Sequence, residues 1–369
     1  MKRYYFFLLF GCLFFSCSNH TKNGALTEIP VDIDQNSSLP LSEITEEIKA
    51  IALEMTDESL IDPDRIKRVF LCNDDVIVSE RDRIFRFKAD GKFERLIGSK
   101  GQGPGEYILI RNLAMDEKNR RLFVNGNTKI ICYDLDGNLL NEFLNIQQYN
   151  GLIIDMNYIN DELLILVEYI GRKDNKGLFN HSVLYRLNDD FKITDSCAIR
   201  DTYFERPGFY TQKFENFILQ ENSRVYLYYP DLYLNEQKPA EIVLRDTLYY
   251  VENNYLVPEL KLKFRDNGID GSGNKFIQLM NVYRSSRYLF AVYGNTLNNN
   301  YYQFCYDMKI GKGYNMQDGF TDDIHQIEER ITVFPLSTDS EQFYYWHTHI
   351  KPNEFEEPNP TLYIGKLKK

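Results

Sequence analysis

Histidine and tryptophan are scarce in this chain, with 5 His and 1 Trp in 369 residues. So few imidazoles leave little material for a multi-histidine metal centre or a histidine-driven active site. Neither a His-Glu-x-x-His run nor a Gly-x-Ser-x-Gly elbow occurs, so two common hydrolase signatures are missing. Positive charge is also short. The 43 Lys and Arg face 54 Asp and Glu, a formal net charge of −11. That balance excludes nucleic acid as a general partner and disfavours broad adhesion to anionic lipid. No apolar run beyond residue 16 is long enough to span a membrane, which takes about 20 residues.

Cysteine is thinly spread and never paired as Cys-x-x-Cys. Past the N-terminus only Cys72, Cys132, Cys197 and Cys305 occur. Each sits in an apolar or β-rich stretch, such as Phe70-Leu71-Cys72, and reads as a buried thiol acting as a small hydrophobe. An exported location would permit disulfides, but the spacing does not say which thiols would pair.

What is abundant is aromatic and β-branched. There are 27 Tyr and 25 Phe while Ala is rare, a bias toward strands. The first residues differ from the rest. Lys2 and Arg3 precede an apolar run from Tyr4 to Phe15, too short to span a bilayer and suited to a secretory signal over 1–16. That run ends Leu13-Phe14-Phe15-Ser16-Cys17, and a small residue directly before a cysteine resembles the bacterial lipobox. The resemblance implies lipidation at Cys17, although Phe14 stands where Leu is usual. Cys12, after Leu9-Phe10-Gly11, fits the pattern too but leaves an apolar core of only about 8 residues. A plain secreted protein is the remaining alternative. Loss of Lys2 and Arg3 with the signal moves the formal charge from −11 to −13. Residues 17–40, rich in Ser, Asn, Thr and Pro, read as a flexible tether, and 41–369 as the folded part.

A degenerate repeat runs through that part. Asp75–Glu80 and Arg83–Lys88 lead through Asp90-Gly91 to Phe93–Gly98; Arg121–Asn125 and Lys129–Asp134 lead through Asp136-Gly137 to Leu139–Phe143. Asp-Gly between alternating runs is a strong hairpin signal, because glycine accepts the positive φ that the turn demands. Weaker copies follow, and Val76, Leu122, Leu163, Val225, Leu289 and Phe343 recur at a mean spacing of about 53 residues. Six four-stranded units at that spacing predict an all-β, six-bladed β-propeller of antiparallel blades. The sixth unit runs out of chain after its third strand, and Ile48–Glu54 is expected to supply the fourth and close the ring. Two separate β-sandwich domains are the alternative, with no linker to divide them.

The segment Gly98-Ser-Lys-Gly-Gln-Gly-Pro-Gly-Glu-Tyr107, with Asn112–Asp116, Arg121–Val124 and Asp134–Gly137, resembles the NHL-type propeller repeat. Ile110-Arg111 stands where most such repeats carry Pro. With Asp246–Tyr249 and the early Ile48–Glu54 strand, the mature chain is similar to the six-bladed β-propeller lipoproteins of Bacteroidetes. That resemblance implies a propeller lipid-anchored in the cell envelope, at the outer membrane. Some surface-displayed lipoproteins of that group carry acidic residues just after the cysteine. Ser18–Asn23 has none, which points to a periplasm-facing protein touching the membrane through its lipid alone.

In such a fold, the loops leading to the next blade and those between second and third strands share one face. Here they are long and polar: Gly98–Arg111, Asp201–Glu215, Arg265–Lys275 and Gln317–Arg330 of the first kind, and Tyr169–Asn180, Pro230–Ala240, Asn295–Asn300 and Lys351–Pro360 of the second. Binding residues concentrate on such loops, and Arg111, Arg206, Tyr210 and Lys275 are the candidates. His347-Thr348-His349 puts two imidazoles on one strand face but shows no third ligand. Asp318, Asp322 and Asp323 lack the EF-hand alternation and read as a solvated loop. Gly-Gln-Gly-Pro-Gly has no Lys-Ser/Thr after it and reads as a turn rather than a phosphate cradle. No catalytic residue, metal or cofactor is expected. The inventory favours a binding or scaffold module for an envelope protein, peptide or glycan. A propeller enzyme of lyase, lactonase or sulfotransferase type is the alternative, since the fold alone does not choose.

Replacing Cys17 with Ala should abolish labelling by radioactive palmitate and move a folded protein from the membrane to the soluble fraction. Persistent membrane fractionation would sink the lipid-anchor expectation.

Overall fold

A computed structural model describes residues 26–143, 151–204, 216–230, 246–272, 276–336, 339–349 and 358–369. The strands form a six-bladed β-propeller, as the repeat predicts. Blade 1 comprises Arg68–Cys72, Asp75–Ser79, Ile84–Lys88 and Phe93–Leu96; blade 2, Asn112–Asp116, Arg121–Asn125, Ile130–Asp134 and Leu139–Phe143. Blade 3 is built from Leu152–Ile159, Glu162–Lys173, Leu178–Leu187 and Ile193–Phe204; blade 4 from Ile218–Glu221, Arg224–Leu227, Thr247–Glu252 and Tyr255–Phe264. Blade 5 has Ile277–Arg284, Tyr288–Asn295, Asn300–Asp307 and Lys312–Gln317. Blade 6 has Phe334–Pro335, Gln342–His347 and Thr361–Leu367, and takes its outer strand, Thr45–Ala52, from the start of the chain.

Blades pack face to face, so their middle strands are covered on both sides and need not alternate. Asp75–Ser79 is buried throughout, as is the inner strand Asn112–Asp116, whereas the outer strand Phe93–Leu96 is largely exposed. Val76, Leu122, Leu163, Val225, Leu289 and Phe343 all lie buried in the second strands, where the repeat placed them. Four free cysteines, Cys72, Cys132, Cys197 and Cys305, are buried in the same layers. Burial pushes the Cys132 thiol up to about 12 and the Cys197 thiol to about 11, so both stay protonated and act as apolar filler.

The ring closes as expected. Thr45–Ala52 pairs antiparallel with Thr361–Leu367, from Thr45 opposite Leu367 to Ala52 opposite Thr361. Gly91, at φ +88°, sits at the blade 1 hairpin directly against the end of this strand. A Cβ there would lie 1.9 Å from the Ala52 carbonyl oxygen, and the Gly91 carbonyl accepts from the Glu54 N–H at 2.9 Å. Only glycine meets both demands.

The tether expectation needs correction past residue 26. Thr27–Val31 is a fifth strand on blade 4, parallel to Tyr255–Phe264, with Ile29 and Val31 buried. The chain then crosses blade 5, where Ser37 N–H donates to the Asn315 carbonyl at 2.6 Å and Asn315 Nδ2 to the Gln35 carbonyl at 3.0 Å. It reaches the blade 5–6 junction at Ser42, whose N–H and hydroxyl donate to Asp323 at 3.0 and 2.5 Å. The alternation Ile29, Val31, Ile33 was the signal for this strap, concealed among Pro, Asn and Ser. Pro30 is compatible with a strand because the position is an edge. Cys17 and the rest of the segment through residue 25 lie outside the described residues.

Around the axis, inner strands are joined by side chains. Arg68 of blade 1 donates through Nη1 to the carbonyls of Leu113 at 2.6 Å and Met156 at 2.8 Å, and through Nη2 to Asp155. Asp155 also accepts from the N–H groups of Met156, Phe217 and Ile218 at 2.8, 2.7 and 2.9 Å. Its carboxylate has no exposed surface, and Arg68 is 5% exposed. One ion pair thus links blades 1 to 4. Removing one member of such a buried, hydrogen-bonded pair costs about 3–5 kcal/mol. Asp155→Ala should lower the unfolding free energy by about that amount in denaturant titration, and Arg68→Met/Asp155→Leu should recover more than half of it. A loss within experimental error would show that the pair is dispensable.

Candidate binding face

Inner strands begin at the face carrying the connections between blades, so the Arg68–Asp155 pair lies at that end of the axis. An arginine and a carboxylate already bonded to each other and to five backbone groups are not available to a ligand. The loop-face candidates therefore sit on the rim, in three places.

The first is the junction of blades 1 and 2. Arg111 is exposed; its Nε donates to Asn127 Oδ1 at 3.0 Å, its N–H to the Asn125 carbonyl at 2.9 Å, and its carbonyl accepts from Lys67 Nζ at 3.3 Å. The glycine-rich connection beside it is a clasp. Gly103 N–H donates to Glu106 at 2.8 Å, Gly105 N–H to Glu142 at 3.0 Å, and Gly101 N–H to the Tyr107 carbonyl at 3.0 Å. Lys129 Nζ reaches the Gly103 carbonyl at 2.6 Å and Glu142 at 2.9 Å, and Tyr133 Oη the Gly105 carbonyl at 2.6 Å. The amides a phosphate would need are already spent, and a Cβ on Gly101 would strike the Glu106 carboxylate at 2.0 Å.

The second place is a histidine and tyrosine patch between blades 5 and 6. The connection there folds as a hairpin of Phe320–Asp322 and Ile327–Ile331. Buried Asp322 accepts from the N–H groups of Ile324 and His325 at 3.0 and 2.9 Å and from Tyr345 Oη at 2.7 Å. Tyr345 stacks on Tyr363 with centroids 4.6 Å apart; His325 lies 4.6 Å from the Tyr363 ring, and His349 Nε2 is 2.8 Å from Tyr363 Oη. Burial, reinforced by Asp322, holds the Tyr345 hydroxyl well above its usual range. His347 and His349 share one face as expected, edge to face at 4.7 Å. Among the described residues no three His, Cys, Asp or Glu side chains are placed to hold a metal ion. Asp322 and Asp323 serve separate networks, the tyrosine patch and the Ser42 strap, rather than converging on a cation. The sequence picked out His347, His349 and Asp322 but not His325, which only the hairpin brings to them.

The third place is blade 3, where Tyr169–Asn180 was expected as a loop. The strands instead run on to Lys173 and restart at Leu178, leaving a turn at 174–177. Pairing with the inner strand ends at Leu152 opposite Glu168, whereas pairing with the third strand continues to Lys173 opposite Leu178. The second and third strands thus extend an arm beyond the inner strand of their own blade. Arg206, Tyr210 and Lys275, the other candidates, lie outside the described residues, so the structure places Arg111 alone of the four.

A six-bladed propeller with a buried ion pair tying its inner strands and elaborated connections on one face is the class of protein that these features define. The chain belongs to the family described as "Domain of unknown function (DUF4934)", whose profile matches residues 26–369. It is similar in fold to a "Putative exported protein" from Bacteroides fragilis, 16% identical over 93% of this chain and 100% of that one, with a TM-score of 0.60. The Pan2 WD40 domain of Neurospora crassa is more distant, 10% identical over 82% of this chain and 76% of that one, at a TM-score of 0.42. No curated protein matches the chain.

The patch makes stability depend on pH. Burial, then the neighbouring His349, lowers the His347 pKa below its ordinary 6.5. Between that lowered value and 6.5 the unfolded chain binds more protons than the folded one, so acidification destabilises the fold there. His347→Gln should therefore lose less Tm than the wild type between pH 7 and pH 5. Parallel Tm–pH curves for the two would contradict this assignment.

Proposed function

We propose that this chain is a lipid-anchored envelope propeller that acts as a binding or scaffold module, presenting its loop face to a partner protein, peptide or glycan. The observation that carries the reading is the contrast between the two faces. On the side of the tight turns, polar groups are consumed by bonds between blades. Arg86 of blade 1 bonds Asp136 of blade 2 at 2.7 Å, and Arg120 of blade 2 bonds Asp75 of blade 1 at 2.6 Å. Arg121 reaches Asp189 of blade 3 at 3.0 Å, and Arg284 of blade 5 reaches Glu259 of blade 4 at 2.9 Å. The loop face instead carries the arm, the hairpin and exposed Arg111. Elaborated connections on a rigid scaffold are where recognition resides. A Cys17 lipid, a periplasm-facing position at the outer membrane and kinship with NHL-type lipoproteins belong to the same proposal. Its supports are the lipobox-like Ser16-Cys17, the lack of acidic residues in Ser18–Asn23 and the fold shared with the Bacteroides fragilis protein. Catalysis on the same scaffold would have to start from the histidine and tyrosine patch.

A photo-crosslinking residue at Asn127 tests the loop face, with one at Lys118, on the opposite turns, as control. In intact cells the Asn127 position should yield discrete adducts and Lys118 should not. Equal adducts from both, or none from Asn127, would overturn the proposal.

A further inference from the structure

Resting on the reading of the loop face as the binding side, we propose that the blade 3 arm docks an acidic polysaccharide, a chain of uronate-bearing sugar rings. One face of the arm carries a ladder of rings and cations. Tyr169, His181 and Asp201 lie opposite one another across three strands, as do Arg172, Phe179 and Tyr203 one step further out. Tyr169 Oη meets Tyr185 Oη at 2.7 Å, His181 stacks on Tyr169 at 5.9 Å, and Phe179 packs against Tyr203 at 5.2 Å. The Arg172 guanidinium lies 4.2 Å from the Tyr169 ring centroid, and Lys176 Nζ lies 5.6 Å from that of Tyr203. Tyr203 and Ile170 are each 38% exposed.

Charge selects the partner. The chain as a whole is at −11, yet the tip of the arm gathers Arg172, Lys173 and Lys176 against Asp174. Among the described residues neither Arg172 nor Lys173 is within ion-pair distance of a carboxylate, and Asp174 is held by the Tyr203 hydroxyl at 2.8 Å. His181 is matched by Asp201 at 2.6 Å, so the unmatched charge is that of the tip. A guanidinium held 4.2 Å from a ring centroid, with no carboxylate in ion-pair reach among the described residues, is poised for one.

Geometry favours sugar over peptide. Phe179 and Tyr203 touch, closing the gap that a peptide anchor would need for a buried hot spot. What they leave is a ring surface flanked by cations, suited to the apolar face of a pyranose with its carboxylate turned to Arg172 or Lys176. Tyr169 is buried at the base, so the accessible ring surface is that of Phe179 and Tyr203, two residues beyond His181, about 7 Å at roughly 3.3 Å per residue, which fits one sugar ring of an extended polymer. The arm is also braced. On its other face Arg200 donates to the carbonyls of Tyr229 and Pro230 at 2.5 and 3.2 Å and lies over the Tyr229 ring at 4.5 Å. Binding therefore need not pay to order it.

The test is biolayer interferometry of the detergent-solubilised full chain on immobilised polygalacturonate, with dextran and poly-L-glutamate as comparison surfaces. Saturable binding to polygalacturonate that weakens with salt is expected, with at least tenfold less to the other two. Arg172→Ala and Tyr203→Ala should each weaken it at least tenfold, whereas Lys118→Ala, on the opposite face, should leave it within twofold. Equal binding to poly-L-glutamate, no binding by the wild type, or full binding by Arg172→Ala would overturn the inference. If polygalacturonate fails while Asn127 still forms its adducts, this inference falls and the module reading stands. If both fail, both readings fall.

Discussion

The ring depends on a shortage of backbone bonds between blades. Each blade satisfies its own main chain through its own ladders, so adjacent inner strands must be tied by side chains. Arg68 reaches the Leu113 carbonyl, Asn112 that of Ile154 at 2.8 Å, and Asn157 that of Ile218 at 2.9 Å. Asn281 reaches the Asn216 carbonyl at 3.2 Å, and Gln303 and Tyr283 that of Val333, each at 2.8 Å. Every boundary from blade 1 to blade 6 is thereby crossed by a polar side chain ending on a neighbour's carbonyl. Breaking one would leave a buried group unsatisfied, at a cost of about 1–3 kcal/mol. The last boundary is sealed differently: the chain start completes blade 6 and its next residues lead straight into blade 1, over a core shared by Val69, Phe85, Tyr344 and Leu362.

This tying has a functional side. Arg68 and Asp155 are spent on architecture, and the polar features left for recognition among the described residues lie on the connections around them. The rim features are unlike one another: a glycine clasp, a tyrosine stack with three imidazoles around it, and a projecting aromatic arm. Propeller symmetry holds in the cores of the blades, where packing demands it, and lapses where the chain meets solvent.

The sequence carried the symmetric part well, because a middle strand covered on both faces must be apolar and the same pattern recurs in each blade. It carried the closing strand too, since a sixth unit lacking a strand and a spare strand near the start imply each other. The polar contacts were much less legible. Arg68 and Asp155 are 87 positions apart, and neither stands in any motif. The arm was hidden because Gly171-Arg-Lys-Asp-Asn-Lys-Gly177 is as hydrophilic as a loop; its strand character comes from pairing, with Asn180 Oδ1 accepting from Gly171 N–H at 3.0 Å to hold the bulge. The strap was hidden for the opposite reason, three apolar residues scattered through a Pro- and Asn-rich segment. Of the four binding candidates, Arg111 could be placed, and it came from the most regular part of the repeat.

The strap and the closing strand also dictate an order of events during folding. Glu28 meets its partner Lys263 235 residues downstream, at 2.8 Å, and the Ser42 carbonyl meets Lys368 326 residues downstream. The strap therefore docks on blade 4, made well before the end of the chain, whereas the closing strand docks only on blade 6, made last. Loop closure across such separations is slow, so the ring stays open until nearly the whole chain is present. Closure of the ring is thus a late step, taken only once the third strand of blade 6 exists to receive Thr45–Ala52.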